Sequence, residues 1–146
     1  MHACACVCLL LPDRVVVGRG EVPGYLIDYD PVLTQFNLGP ALTGAQPHFH
    51  GDAWNGLVYG RKQWFISRPS HAFFARSGQR VIDWLATPPK LAELTARDSD
   101  DGSALAASDL LCVQEPGDIV YVPRLWGHAV LNLAQSVGAA VEFEQQ

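Results

Sequence analysis

Three histidines and an aspartate stand where the strands of a sheet could bring them around one metal ion. His48, His50 and Asp52 alternate along a short stretch, and side chains two residues apart on a strand project to the same face. His128 lies far downstream in another apolar run. Two ligands close in sequence and a third from a distant strand can form a facial metal site with positions open for substrate and oxygen. The sequence therefore predicts one metal site built by two strands.

The rest of the chain predicts strands that could hold these side chains. Its 146 residues fit one domain, and 49% of them are apolar while 17% are charged. Glycines and prolines punctuate short apolar runs, which is typical of an all-β or β-rich domain. The strands predicted around the histidines are residues 15–17, 25–27, 35–38, 57–59, 64–66, 110–114, 119–122, 129–133 and 137–143.

Two connections between these strands have a sequence signature of their own. Residues 57–59 and 64–66 flank a glycine-led segment at 60–63, which predicts a hairpin with a tight turn. Farther along, the strand signal disappears, and residues 80–85 and 90–96 have apolar positions near helical spacing. We therefore expect two short helices between the first and the second half of the strands.

Charge and hydropathy exclude some partners. The net charge of −5 and a pI near 5.4 oppose direct contact with nucleic acid phosphates. No apolar run is long enough to span a bilayer. Residues 1–11 resemble the apolar part of a secretory signal, but they have no Lys or Arg before the apolar run and no clear cleavage pattern after it. The sequence favours a soluble intracellular protein and leaves secretion or the ER lumen open.

Two long blocks resemble the JmjC-domain proteins of the cupin superfamily. The first is Ala53-Trp-Asn-Gly-Leu-Val-Tyr-Gly-Arg-Lys-Gln-Trp64 and the second is Gln114-Glu-Pro-Gly-Asp-Ile-Val-Tyr-Val-Pro-Arg-Leu-Trp-Gly-His-Ala-Val-Leu-Asn-Leu133. The resemblance extends over roughly residues 24–143. The chain is similar in particular to small JmjC-only proteins that have His-x-His in place of His-x-Asp.

The resemblance implies a fold and a division of the chain. The fold is a double-stranded β-helix, the cupin or jelly-roll barrel of two packed sheets, with a short helical insertion around residues 79–97. Residues 24–146 would form the JmjC domain. Residues 1–23 would be an N-terminal segment, either an apolar leader or an incomplete part of the fold.

The resemblance also implies cofactors and roles for single residues. Members typically use Fe(II) and 2-oxoglutarate, and His48 and His128 take the positions of the family's first and distal histidines. Lys62 falls where the family often places the lysine that pairs with the far carboxylate of 2-oxoglutarate, a task that suits a point charge on a flexible stem. The alternative for Lys62 is an exposed lysine of the hairpin turn. Asn55 falls where some relatives give the cosubstrate an amide hydrogen bond, and Trp54 is expected in the barrel wall.

The acidic ligand is the main departure from the family pattern. His-x-Asp or His-x-Glu would require an acid at position 50 if His48 is the first ligand, and that residue is His50. Two registers are open: His48 with His50, or His50 with Asp52, which restores the carboxylate but crowds the following turn. We favour the first register, because it keeps closer to the family's separation from Lys62. It gives His48, His50 and His128 as ligands and leaves Asp52 to accept a hydrogen bond from an imidazole N–H.

The function implied by the resemblance is an Fe(II)- and 2-oxoglutarate-dependent oxygenase that hydroxylates or demethylates a protein side chain. Three neutral imidazoles would leave bound Fe(II) with a net charge of about +2, whereas a site with one carboxylate has about +1. Two alternatives therefore stay open. One is a catalytically silent JmjC or cupin domain that binds or regulates and still holds metal, and the other is a small-molecule cupin enzyme without 2-oxoglutarate. The sequence indicates neither the particular substrate nor an oligomeric state.

Overall fold

The computed structural model describes residues 16–19, 31–72, 74–75, 77–86 and 110–143, and strands dominate these segments. A 3-10 helix at Pro69–His71 and one short α-helix, α1 (Val81–Leu85), complete the regular structure of the described residues. The strands are β1 (Val16–Arg19), β2 (Pro31–Gly39), β3 (Gly44–His48), β4 (Asp52–Tyr59), β5 (Lys62–Ser67), β6 (Leu110–Gln114), β7 (Asp118–Val122), β8 (Gly127–Asn132) and β9 (Ser136–Phe143).

The strands form two antiparallel sheets that share one core. The larger sheet has the order β1-β7-β4-β9-β2, and the smaller has the order β3-β8-β5-β6. Alternate side chains of both sheets point inward and pack together, as in any two-sheet sandwich. This is the jelly-roll arrangement that was expected. The buried cluster of the core consists of Trp64, Ile66, Cys112, Val120, Val122 and Val130.

The last four predicted strands are confirmed, but the predicted hairpin is wrong. Strand β4 belongs to the five-stranded sheet and β5 to the four-stranded sheet. Gly60 and Arg61 therefore carry the chain from one sheet to the other instead of turning it back within a sheet. Two apolar runs around a glycine are compatible with both courses, because the sequence of the turn does not specify which strand becomes the hydrogen-bonding neighbour.

Helix α1 covers the outer face of the smaller sheet. Val81 and Trp84 are buried against Ala129 and Leu131 of β8, whose neighbour Val130 points into the core. Strand β8 is thus buried on both faces. The first predicted helix is confirmed, whereas the predicted helix at 90–96 and the predicted strand at 25–27 lie outside the described residues. No helix in the described part of the chain has the length and hydropathy needed to cross a bilayer.

The crossing at Gly60 predicts a measurable effect on stability. Gly60 has a φ of 96°, and a Cβ there would collide with the carbonyl oxygen of Gln135 and with Ser136. Gly78 has a φ of 79° but open space around it. Gly78→Ala should cost about 1 kcal/mol of backbone strain, while Gly60→Ala should cost about 3 kcal/mol because a steric clash adds to the strain. Urea unfolding of both variants measures the difference, and equal losses would show that the close contact at Gly60 is unimportant.

Candidate metal centre

Three imidazoles converge where β3 and β8 meet. His48 is the last residue of β3 and pairs directly with His128 of β8, and His50 follows two residues later. The ring centroid of His128 lies 4.1 Å from that of His48 and 4.7 Å from that of His50. One nitrogen of each ring lies within 4.8 Å of those of the other two. The structure thus brings together the three histidines of the favoured register.

A register shift between β3 and β8 places two of the histidines opposite each other. Gly44 pairs with Leu131 and Ala45 with Val130, but the ladder shifts before it reaches His48. Pro47 lies inside the shifted stretch, and proline has no N–H to donate to a ladder. If the first register had continued, His48 would face Gly127 instead of His128. Irregularities of this kind re-aim side chains in many active sites.

Each of the three imidazoles has its Nδ1 within hydrogen-bond distance of a nearby backbone carbonyl. A carbonyl oxygen can only accept, so the Nδ1 atoms carry the protons. The Nε2 atoms then keep their lone pairs, which is the form that binds a metal. The contacts are His48 Nδ1 to Gln46 O at 2.7 Å, His50 Nδ1 to Gly51 O at 2.9 Å and His128 Nδ1 to Trp126 O at 3.1 Å.

Burial favours the neutral form of two of these rings. Desolvation lowers the pKa of His128 to about 3, with further lowering by the neighbouring imidazoles of His48 and His50. Desolvation also lowers the pKa of His48, and the neighbouring His50 adds to the effect. A cation entering at neutral pH therefore need not displace protons from His48 or His128.

Asp52 is engaged elsewhere. Its Oδ1 accepts hydrogen bonds from the hydroxyl of Tyr121 at 2.5 Å and from the backbone N–H of Arg124 at 3.0 Å. The backbone N–H of Leu125 in addition donates to His50 O at 2.9 Å. These bonds connect the turn after His50 to the turn that leads into β8. The structure thus places Asp52 outside the group of three nitrogens and gives it the task of holding the two turns together.

A cavity of about 470 Å³ opens beside the three imidazoles, between the two sheets. Lys62 lines it and is only 5% exposed, so the alternative of an exposed turn lysine is wrong. Its Nζ donates to Asn37 Oδ1 at 2.6 Å. Desolvation lowers the pKa of Lys62 to about 8. A buried ammonium that donates to a neutral amide is a natural partner for an anionic ligand.

Two buried amide side chains differ in their place: one lines the cavity, and the other is hydrogen-bonded to residues that line it. Asn55 lines the cavity, and its buried Oδ1 has no hydrogen-bond partner among the described residues. The sequence indicates no role for Gln114, yet this side chain is fully buried and hydrogen-bonds two residues of the cavity wall. It accepts from Trp64 Nε1 at 2.9 Å and donates to Asn55 O at 2.8 Å. Trp64 stacks on His128 with ring centroids 6.0 Å apart. The sequence feature that could have indicated this role of Gln114 is an amide side chain at the end of the apolar strand 110–114.

Comparisons with known proteins agree with the fold and the resemblance. No family model matches the chain. It is 32% identical over 103 residues to JmjC domain-containing protein 8 of Mus musculus, an alignment of 70% of this chain and 34% of that protein. It is 31% identical over 104 residues to 2-oxoglutarate and iron-dependent oxygenase JMJD4 of Homo sapiens, covering 68% of this chain and 24% of that protein. The chain thus spans about a third of the length of the first relative and about a quarter of the second.

A solved structure shows the same fold. The chain superposes on YcfD, a ribosomal oxygenase from Escherichia coli in complex with cobalt and 2-oxoglutarate, with a TM-score of 0.50 and 16% sequence identity over 77% of this chain and 23% of that one. The two-sheet jelly roll, with its histidines gathered beside the internal cavity, defines a cupin-class protein. Within that class, the chain is similar in sequence to JmjC-domain proteins.

Proposed function

We propose that this chain forms the catalytic domain of an Fe(II)- and 2-oxoglutarate-dependent oxygenase of the JmjC type. One observation carries the proposal: three imidazoles and the buried ammonium of Lys62 line the same cavity. The imidazoles offer a site for a divalent cation, and the ammonium offers a site for a carboxylate. Together they match the two halves of an iron and 2-oxoglutarate complex.

His48, His50 and His128 would hold the iron through their Nε2 atoms, because the Nδ1 atoms face backbone carbonyls. Bound iron with 2-oxoglutarate supplies the oxidation of a C–H bond by O2. The protein supplies orientation. The carbonyl contacts fix the three rings, and Trp64 stacked on His128 limits the freedom of the most buried ring.

Lys62 and Asn55 would bind 2-oxoglutarate. In the described residues Lys62 Nζ donates to Asn37 Oδ1, and a carboxylate beside the ammonium would add an ion pair with a hydrogen bond of its own. The side-chain amide of Asn55 has an oxygen without a partner, so the amide is free to turn and present its N–H2 to the cosubstrate.

The substrate class is proposed from the relatives. The chain is 26% identical over 138 residues to the arginine-specific demethylase JMJ22 of Arabidopsis thaliana, and the structural neighbour is a ribosomal oxygenase. The first name specifies arginine, which is a protein side chain. We therefore propose a protein side chain as the substrate, reached through the open end of the cavity.

The test is succinate formation by protein purified without oxygen and then supplied with Fe(II), 2-oxoglutarate and O2. We expect native protein to form succinate above the level of a His48→Ala control. A native protein that loads iron but forms no succinate, with or without a library of candidate peptides, would contradict the proposed activity.

A second candidate is a JmjC domain that binds metal without turnover, and the imidazole at position 50 favours it. Three imidazoles leave more positive charge on iron than two with a carboxylate, and they also suit Zn(II), Ni(II) and Cu(II). The His50→Asp variant separates the candidates. Recovery of succinate formation in His50→Asp, with a silent native protein, would support the silent domain.

A third candidate, a cupin enzyme without 2-oxoglutarate, would be excluded by cosubstrate binding that depends on Lys62.

A further inference from the structure

We infer that Glu142 supplies the negative charge that position 50 lacks, as a positioning residue beside His50. The inference rests on the metal site of the proposed function. It concerns an acid from the far end of the chain, 92 residues after His50, which no spacing around the histidines indicates.

The side chain of Glu142 lies on the cavity side of its strand. Glu142 is on β9 directly opposite Ala53 of β4, and directly opposed residues of an antiparallel pair share a face. Ala53 and Ala140 both line the cavity, and Ala140 is two residues from Glu142 on the same strand. The small side chain of Ala53 leaves room for the longer glutamate to lean toward the turn after His50.

The carboxylate of Glu142 contacts that turn. Its Oε1 accepts the backbone N–H of Gly51 at 3.2 Å and lies 3.9 Å from His50 Nδ1. A Cβ on residue 51 would lie 3.3 Å from the same oxygen, a tight contact that a small shift of the glutamate side chain would relieve. The carboxylate is 27% exposed and thus half-buried, where water screens its charge only partly.

These contacts place the acid where a bound cation would need it. When Nε2 of His50 binds a divalent ion, its Nδ1–H becomes more positive, and the carboxylate 3.9 Å away stabilises that state through its charge. Three neutral imidazoles and the cation have a net charge of about +2, and Glu142 reduces it to about +1. This is the charge of a site with one carboxylate ligand. Asp52, the other acid near the turn, is hydrogen-bonded to Tyr121 and Arg124 instead.

The test compares Co(II) binding to native protein, Glu142→Gln and a matched control. Glutamine keeps the size of the side chain and removes its charge. Glu115→Gln makes the same change at an acid that pairs with Arg61 at 2.9 Å, away from the histidines. We expect Glu142→Gln to bind Co(II) about ten-fold more weakly, as is common for partners of metal-bound histidines, and Glu115→Gln to bind like the native protein. Glu142→Asp should recover part of the loss because it restores the charge.

A spectroscopic measurement distinguishes positioning from a loss of stability. In the Co(II) protein, each ligand imidazole should give one shifted, exchangeable Nδ1–H proton signal. We expect one of the three signals to move and to exchange faster with water in Glu142→Gln, while the other two stay in place. Native affinity together with three unchanged signals in Glu142→Gln would overturn the inference.

The outcomes separate this inference from the proposed function. Succinate formation with no dependence of metal affinity on Glu142 would leave the oxygenase standing and remove the role of Glu142. Co(II) binding that depends on Glu142, without succinate formation, would keep that role and remove the oxygenase. Failure of the native protein to bind Co(II) would overturn both.

Discussion

The His128→Ala variant is expected to lose high-affinity metal binding, with an affinity for Co(II) at least about 100-fold below that of the native protein. His128 is the most buried of the three imidazoles, and its ring is the nearest neighbour of both others. Its removal leaves two nitrogens, which cannot complete a facial set. Titration with Co(II), followed by the visible absorption of the bound ion, measures the loss.

The matched control for this variant is His71→Ala. His71 lies in the 3-10 helix Pro69–His71, not on β3, on β8 or in the turn after β3. We expect it to bind Co(II) like the native protein. Circular dichroism of both variants checks that the sheets are intact. Native Co(II) affinity in a folded His128→Ala protein would show that the metal, if bound, lies elsewhere.

Lys62→Ala should bind 2-oxoglutarate about 100-fold more weakly than the native protein. A hydrogen bond between a charged donor and a carboxylate contributes about 1.5 to 3 kcal/mol, and burial places Lys62 at the favourable end of this range. Calorimetric titration into the Zn(II)-loaded protein without oxygen measures the change. Arg61→Ala is the neighbouring control, because Arg61 is exposed and pairs with Glu115. Equal losses in both variants would argue against a specific carboxylate site at Lys62.

The same site predicts a pH dependence of cosubstrate binding. The pKa of Lys62 in the free protein is about 8, lowered by desolvation. Only the protonated amine attracts a carboxylate, so binding is strongest below pH 8 and weakens as the pH rises through that value. Between pH 7 and pH 9 the protonated fraction falls roughly ten-fold, and the affinity should fall by about the same factor. The dependence should disappear in Lys62→Ala, and a flat profile for the native protein would contradict it.

The sequence predicted the strands and the histidines better than it predicted the connections. Residues 110–114 match β6 in full, because alternating or continuous apolar runs between glycines and prolines report strands directly. The three histidines could be grouped because His48 and His50 alternate on one stretch and the resemblance gives His128 the position of the distal histidine. The apolar runs around Gly60 predict a hairpin, but the structure has a crossing between the sheets there. Strand neighbours are decided by packing over the whole molecule, which the local sequence does not encode.

Contacts to the site from residues far away in sequence could not be predicted from the sequence. The contact between Glu142 and Gly51 depends on how β9 ends beside the turn after β3, and no local pattern encodes that proximity. Burial of Lys62 could not be predicted from the turn itself, because lysine at a turn is usually solvated, and only the resemblance indicated a place beside the cosubstrate. Asp52 illustrates the opposite case. It alternates with the histidines in sequence, yet the chain turns between them and directs its carboxylate to Tyr121.

The position of β3 at the border of the smaller sheet has a further consequence. Of the three proposed ligands, His128 is on β8, His48 ends β3 and His50 lies two residues beyond it. A bound ion would therefore cross-link the outer strand β3 to β8, which is buried on both faces. Segments with fewer packed neighbours open locally at a lower free energy than core strands. Loss of the ion would therefore make β3 easier to detach from β8, and amide protons of that strand would report iron loading in hydrogen exchange.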